Sequence, residues 1–192
     1  MVQLIRHTQN PEELLKESFG KCYQTDVNIQ TVIKHLKHES VLEHISYTFD
    51  VKCSRIAHLQ FVRHRIASYT SQSHRYTEPT VDDLTYFIPS KFPDELLDEW
   101  EADMKYQYEV YKKWRDKGLK KEDARYHLPD STAINFQVTM NLRSLLNFFA
   151  LRTDPHAQEE IRFLAEEMLS QVLDTVPNLS KAILSLINQK QQ

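Results

Sequence analysis

The segment Ile45-Ser46-Tyr47-Thr48-Phe49-Asp50-Val51-Lys52-Cys53 alternates apolar and polar side chains along its whole length. A two-residue period is typical of a β-strand that buries one face. The segment Thr132–Met140 alternates in the same way, and a short strand is predicted at Thr85–Ile88, stopped by Pro89. Together these segments predict a modest, mostly antiparallel sheet.

Helical spacing of apolar residues dominates most of the remaining chain. Asn141 is suited to cap the helix predicted at Asn141–Leu151, and Gly118 is suited to end the long helix predicted at Pro93–Lys117. Asp154-Pro155 is suited to start the helix predicted at His156–Val176. Helices are predicted at Pro11–Tyr23, Val27–Lys37, Arg55–Arg65, Pro93–Lys117, Ala124–Leu128, Asn141–Leu151, His156–Val176 and after Pro177, with loop or irregular strand at Ile66–Thr77. The 192 residues, without linker or repeat, predict a single α+β domain, residues 1–192, with several helices packed around the sheet.

Glycine is scarce, and its scarcity excludes several nucleotide-binding devices. The chain has only two glycines, Gly20 and Gly118. The GxGxxG fingerprint, the GxxxxGK[ST] phosphate loop and the GxSxG nucleophile elbow each need at least two closely spaced glycines. A phosphate ligand must therefore be bound by side chains.

The cysteines and the hydropathy pattern indicate a cellular compartment. Cys22 and Cys53 form no CxxC pair, which argues against a cysteine zinc site. A single disulfide between them stays open, but a reducing cytoplasm fits two isolated cysteines better. No run approaches the roughly 20 apolar residues of a membrane span, and Met1–Asn10 has no apolar core of a secretory signal. We therefore predict a cytoplasmic protein that does not bind membranes.

Positive charge is concentrated in one segment of an acidic chain. The segment Val51–Thr77 contains five Lys/Arg, three histidines and no acidic residue, and leaves 19 Lys/Arg against 27 Asp/Glu elsewhere. A local basic segment suits a small phosphorylated ligand, whereas general nucleic-acid binding requires a broad basic surface. A solvated basic surface strand is the alternative interpretation.

Neither the histidines nor the hydroxyl groups form a complete catalytic motif. The segment His38–His44 is superficially similar to HExxH, but Leu42 stands where the second histidine is required, so no metal site is predicted. Four hydroxyl residues lie among the arginines without a nearby acid, namely Ser68, Thr70, Ser71 and Ser73. They suit hydrogen bonds to an anionic or heterocyclic ligand, with a simple Ser/Thr-rich turn as the alternative.

Arg152 follows directly after the apolar segment Phe148–Leu151. An arginine at such a position needs an anionic partner or a ligand, because an unpaired buried charge is costly. The alternative to a ligand is a salt bridge to Asp154 or to a glutamate of the last helices.

Arg63-His64-Arg65, followed after seven residues by Ser73, resembles the RHRx7S signature of the flavin-dependent thymidylate synthases. Further segments are similar to this family in the same order: His38–His44, Gln60, and Asn141–Ile161. The resemblance spans roughly residues 20–170.

This resemblance implies an FAD-dependent methyltransferase that converts dUMP to dTMP for dTTP synthesis. It implies that 5,10-methylenetetrahydrofolate gives the carbon and that FAD reduced by NADPH gives the hydride. It also implies a homotetramer with active sites shared between subunits. Neither nucleic acid nor metal is predicted as a ligand, because the chain is acidic outside Val51–Thr77 and the HExxH spacing is incomplete.

The resemblance assigns site residues by position. Arg152 and Ser73 are the implied catalytic residues, with Arg152 stabilising negative charge that develops on the uracil ring. The implied dUMP contacts are Gln60, Arg63, Ser71, Gln72, Ser73, His74, Arg75, Arg125 and Arg152. The implied FAD or folate contacts are His38, Ser40, Arg63, His64, Arg65, Ser71, Asn141, Arg143 and Asn147.

Two alternative functions stay open. Thr70 and Ser71 stand where the family usually has Asn and Glu, which is compatible with a non-catalytic or altered-specificity relative that binds a flavin or nucleotide. A nucleic-acid-binding module would use Val51–Thr77, although the acidic remainder of the chain disfavours it.

Overall fold

Four strands, β1 (Val2–His7), β2 (Ser46–Ser54), β3 (Ser68–Ser71) and β4 (Ala133–Asn141), form one sheet in the order β1-β2-β4-β3. The computed structural model describes residues 1–85 and 87–191. Strand β1 runs antiparallel to β2, with Val2 opposite Val51. The predicted α+β class is confirmed. Of the strand predicted at Thr85–Ile88, Tyr86 lies outside the described residues and the other three residues are not in a strand.

The helices largely follow the predicted pattern, with different ends. They are α1 (Pro11–Tyr23), α2 (Ile29–His35), α3 (Arg55–Phe61), α4 (Leu97–Asp116), α5 (Lys121–Ala124), α6 (Leu142–Arg152), α7 (Glu159–Thr175) and α8 (Ser180–Gln191). Because α3 ends at Phe61 rather than at Arg65, the Arg63-His64-Arg65 segment lies in a turn and loop.

The predicted helix start at Asp154-Pro155 is wrong. The Asp154 carboxylate accepts a hydrogen bond from the backbone N–H of His156 (2.8 Å), and its carbonyl accepts one from Ala157 (2.9 Å). These bonds close an isolated turn, and α7 begins only at Glu159. The aspartate therefore caps a turn rather than the helix.

The chain divides into two compact units, of which the first contains Met1–Val51, His64–Tyr69 and the chain from Gln137 onwards. Within this unit α6 packs against α7 and α8, and α7 packs against β1. Its apolar side chains include Leu145, Phe148 and Phe149 of α6, none of them exposed. The burial of apolar side chains is the main favourable contribution to the stability of a folded unit.

The second unit contains Lys52–Arg63 and Thr70–Phe136. Its core cluster consists of Leu84, Tyr111, Ala124 and Leu128, with four partly buried side chains of Met104, Tyr108, Trp114 and Leu119 packed against it. The predicted end of α4 near Gly118 is confirmed: Gly118 has φ of 90°, and Leu119 N–H bonds back to the Trp114 carbonyl at 3.1 Å. That left-handed conformation favours glycine.

Two polar residues begin the helices that directly follow long strands. The Asn141 side chain accepts a hydrogen bond from Ser144 N–H at 2.8 Å, so the predicted cap of α6 is confirmed. Ser54 caps α3 in the same way, accepting from Ala57 N–H at 3.1 Å. Each cap satisfies a backbone donor that the helix itself leaves unpaired.

Candidate active site

A cavity of about 860 Å³ lies within the second unit and brings together five of the predicted dUMP contacts. These five are Ser71, Gln72, Ser73, His74 and Arg125. Its volume is within the range of about 300–1,000 Å³ that small-molecule sites occupy. Six further residues complete the lining, namely Arg55, Tyr126, Leu128, Pro129, Asp130 and Ile134.

The loop on the cavity wall is held by Gln72. Its backbone N–H donates to the Asn135 carbonyl (2.8 Å), and its side-chain oxygen accepts from the Asn135 backbone N–H (3.2 Å) and side-chain amide (3.1 Å). Its side-chain nitrogen donates to the Thr77 hydroxyl at 2.9 Å. The Gln72 side chain thus has a clear structural function in fixing the loop that carries Ser71, Ser73 and His74.

His74 is a buried polar residue of the cavity wall, only 7% exposed. Among the described residues the Nε2 atom of His74 has no hydrogen-bond partner. The imidazole does form a hydrogen bond with the backbone of Ala133. Burial lowers the pKa of His74 below its usual value, and the cationic Arg55 contributes in the same direction. The side chain is therefore a neutral imidazole at pH 7.

The two predicted nucleotide-binding arginines both bond to Glu122. Arg125 Nε donates to the Glu122 carbonyl (3.1 Å), and Arg75 Nε pairs with its carboxylate (2.7 Å). Arg125 lines the cavity, whereas Arg75 lines a smaller concavity of about 380 Å³ with Arg115, Lys120 and Lys121 among its walls. The structure therefore links the two arginines through one residue but directs them to different concavities.

Arg55 and His58 were missed by the sequence reasoning. Arg55 lines the cavity and lies 3.8 Å from the Asp130 carboxylate. His58 bonds to Ser71, one of the cavity residues. The spacing of Arg55 and His58 was the available signal, since residues three apart share a helix face.

Arg152 bonds to His64 within the first unit. Arg152 Nε donates to His64 Nε2 at 3.1 Å, so this ring nitrogen is an acceptor and the imidazole is neutral. The His64 ring stands edge-on to Phe148 with centroids 4.9 Å apart, and its carbonyl accepts from the Tyr69 hydroxyl. Burial, followed by the Arg152 charge, lowers the pKa of His64 to about 4. Asp154, the alternative partner considered for Arg152, pairs with His156 at 2.9 Å.

We expect the free energy of unfolding to fall as the pH is lowered from 7 towards 4. The folded-state pKa of His64, about 4, lies below the unfolded value of about 6.5. The unfolded chain therefore binds more protons than the folded chain between these pH values. The stability that comes from keeping His64 neutral is complete above pH 6.5 and is lost as the pH falls towards 4. Urea unfolding curves at pH 7, 6 and 5 measure the slope.

His64→Gln removes this titration and is expected to flatten the dependence of stability on pH. His156→Gln is the matched control, because the His156 side chain is 97% exposed, and it should keep the slope of the unsubstituted protein. Equal slopes for the His64→Gln variant and the unsubstituted protein would contradict the assignment.

The predicted flavin contacts on α6 already have partners within the first unit. Arg143 pairs with Glu43 at 2.5 Å and with Glu39 at 3.5 Å. The Asn147 side chain accepts from Lys190 at 3.0 Å, and Lys190 also pairs with Glu39 at 2.7 Å. These bonds join α6 to the end of α8 and to the turn that begins at Glu39.

The remaining predicted flavin contacts lie in different surroundings. His38 stacks on His35, with ring centroids 6.0 Å apart, whereas Ser40 lines a separate concavity that also includes Cys22 and His44. Arg63 and Arg65 are exposed, and their guanidinium groups form no ion pair with the described part of the chain.

Several other features of the described residues bear on the chemistry. Residues 1–85 and 87–191 contain no group of three His, Cys, Asp or Glu side chains arranged to hold a metal ion. Within the same ranges no helix is both long enough and apolar enough to cross a bilayer. Cys22 is exposed and Cys53 is buried, and both are free thiols.

Comparisons with known proteins identify the family of this chain. Residues 3–178 match the family model described as thymidylate synthase complementing protein. A flavin-dependent thymidylate synthase of Pyrococcus abyssi is 39% identical over 191 residues, covering 89% of this chain and 78% of the relative. That of Pyrococcus horikoshii is 42% identical over 190 residues with the same coverage, and that of Clostridium tetani is 36% identical over 213 residues, covering 94% and 85%.

A solved structure has a similar fold. The crystal structure of a UMP/dUMP methylase from Streptomyces cacaoi, bound with 5-Br dUMP, superposes with a TM-score of 0.82 and 24% sequence identity, covering 96% of this chain and 94% of that one. The sequence matches extend over nearly the whole length of the fold described above. The chain therefore belongs to the flavin-dependent thymidylate synthase family.

Proposed function

We propose that this chain catalyses the FAD-dependent reductive methylation of dUMP to dTMP. The observation that carries the proposal is the cavity on which Ser71, Ser73, His74 and Arg125 meet, in a chain of this family. The relatives are named as enzymes, so the non-catalytic alternative suggested by Thr70 and Ser71 is not favoured.

The cavity offers groups of the right chemistry for a nucleoside monophosphate. Arg55 and Arg125 supply guanidinium groups, which bind phosphate oxygens through paired N–H donors. The hydroxyls of Ser71 and Ser73 supply neutral donors and acceptors for the base and sugar. Gln60, Arg63, Gln72, His74 and Arg75 complete the proposed dUMP contacts, and Ser73 is proposed to lie nearest the ring.

Arg152 is proposed to stabilise negative charge as it develops on the uracil. Its hydrogen-bond partner His64 is neutral, so that bond holds the guanidinium in place without neutralising it. A fixed donor of this kind acts most strongly when it is aimed at the atoms that gain charge.

The donors of the Arg63-His64-Arg65 segment fit FAD. Two exposed guanidinium groups without ion pairs to described residues suit the diphosphate, and they replace the glycine loop that this chain lacks. The further proposed FAD or folate contacts are His38, Ser40, Ser71, Asn141, Arg143 and Asn147. When bound, the flavin reduced by NADPH supplies the hydride, and 5,10-methylenetetrahydrofolate supplies the carbon.

A cytoplasmic homotetramer with shared active sites is part of the proposal. Apolar side chains that a monomer leaves in water support self-association: Ile56 and Leu59 on α3 are 43% and 56% exposed, and Ile66 is 73% exposed. Sedimentation velocity of the purified chain measures the assembly.

Two measurements on the purified chain test the function. The first is an absorbance spectrum before and after addition of dUMP, in which flavin bands that shift with dUMP are expected. The second is dTMP formation, which should require FAD, NADPH and 5,10-methylenetetrahydrofolate, each omitted in turn. A colourless chain that cannot be reconstituted with FAD, or dTMP formation that continues without FAD, would overturn the proposal.

A further inference from the structure

His58 and Ser71 form a hydrogen-bonded pair beside the cavity of the second unit. His58 Nε2 and Ser71 Oγ are 2.8 Å apart, linking α3 to the end of β3. The cavity is lined by Ser71 but, among the described residues, not by His58. Any influence of His58 on a ligand in the cavity is therefore exerted through the serine.

The imidazole is held in place on its other side. Its ring stands edge-on to Phe136 of β4, with centroids 4.9 Å apart and an interplanar angle of 73°. Phe136 is itself buried and stands edge-on to Phe61. A ring packed in this way has few alternative rotamers, so it fixes the position of the oxygen it bonds to.

The pair leaves hydrogen-bonding capacity for a ligand. Burial, with the Arg55 charge as the second cause, lowers the pKa of His58, which favours the neutral imidazole. A hydroxyl has one donor and two acceptor positions, and the bond to His58 uses only one of them. Ser71 is exposed on the cavity wall, so the remaining positions are available to a bound molecule.

We propose that His58 is a positioning residue of the nucleotide site, holding the Ser71 hydroxyl where it hydrogen-bonds directly to bound dUMP. The inference rests on the proposed function, because it requires that dUMP occupies this cavity. It adds His58, a residue from outside the cavity lining, to the groups that determine dUMP binding.

A double-mutant cycle on dUMP binding tests the pair. The dissociation constant for dUMP is measured by isothermal titration calorimetry for the unsubstituted chain, His58→Phe, Ser71→Ala and the double variant. Phenylalanine keeps the ring against Phe136 and removes only the nitrogens. Each single change is expected to weaken binding about tenfold, the size of one lost hydrogen bond, and the double variant should be no weaker than either single one.

Two further variants separate positioning from folding. His58→Gln places a side-chain amide near the original position of Nε2, where it can bond to Ser71. The dUMP affinity of this variant should be within about twofold of that of the unsubstituted chain, because the hydrogen bond lost in His58→Phe is present again. His127→Phe is the matched control: this histidine stacks on Trp114 in the same unit and does not line the cavity. It should leave the dUMP affinity unchanged.

The outcomes distinguish the inference from the function. Fully additive losses, or unchanged affinity in the His58→Phe variant, would overturn the positioning role while leaving the thymidylate synthase proposal in place. Absence of dUMP binding by the unsubstituted chain would overturn both. Non-additive losses with recovery in the His58→Gln variant establish the pair.

Discussion

Replacing Arg152 with alanine is expected to lower the rate of dTMP formation by about 100- to 1,000-fold, the usual cost of removing one preorganised donor to developing charge. The guanidinium is fixed at the end of α6 by its bond to the neutral His64. Water that fills the space left by the side chain cannot supply the same oriented charge. Single-turnover assays with saturating dUMP and cosubstrates measure the chemical step directly.

The control for this change is Arg162→Ala. Arg162 lies on α7 of the same unit, where it donates to the Pro155 carbonyl and lies 4.0 Å from Glu166. Its loss should change the rate by no more than about twofold, as expected of a surface substitution. A similar thermal midpoint for both variants excludes unfolding as the cause. A fully active Arg152→Ala variant would remove this residue from the mechanism.

Replacing Phe136 with alanine is expected to lower the free energy of unfolding by about 3–5 kcal/mol, the range for a large buried ring. Phe136 is 2% exposed and its ring contacts those of His58 and Phe61 edge-on. Truncation leaves a cavity that neighbouring strands and helices cannot fill without moving. Urea unfolding followed by circular dichroism gives the difference in free energy.

Tyr126→Ala tests whether burial, rather than aromatic character, causes this loss. Tyr126 is 85% exposed in the same unit, and its truncation should change the free energy of unfolding by less than about 0.5 kcal/mol. Phe136→Leu should cost less than Phe136→Ala because most of the buried volume is retained. Equal free energies of unfolding for Phe136→Ala and Tyr126→Ala would contradict the burial of the Phe136 ring between His58 and Phe61.

The parts of the fold that follow from local pattern could be predicted from the sequence. Strands β2 and β4 each bury one face, so their alternation is visible in the residue types. Strand β1 was missed because Ile5, Arg6 and His7 in it are exposed and the burial pattern does not continue to its end. Its place depends on pairing with a strand more than forty residues later in the chain.

In the site, too, some residues could be predicted from the sequence, whereas contacts between residues far apart in the chain could not. The resemblance predicted Ser71–His74 and Arg125 as one group, and the structure places them around one cavity. The bond between Arg152 and His64 joins residues 88 positions apart, and no local spacing indicates it. Near Asp154 the local signal misled, because a carboxylate can cap a single turn as well as a helix.

Helix α6 works as a fixed spacer between its two ends. Asn141 caps its start and Arg152 is its last residue, so their backbones are separated by about 16 Å at the rise of an α-helix. Each residue added or removed between them would turn Arg152 by about 100° around the axis relative to Asn141. A change of one residue in the length of α6 would therefore turn the Arg152 side chain away from His64, its hydrogen-bond partner.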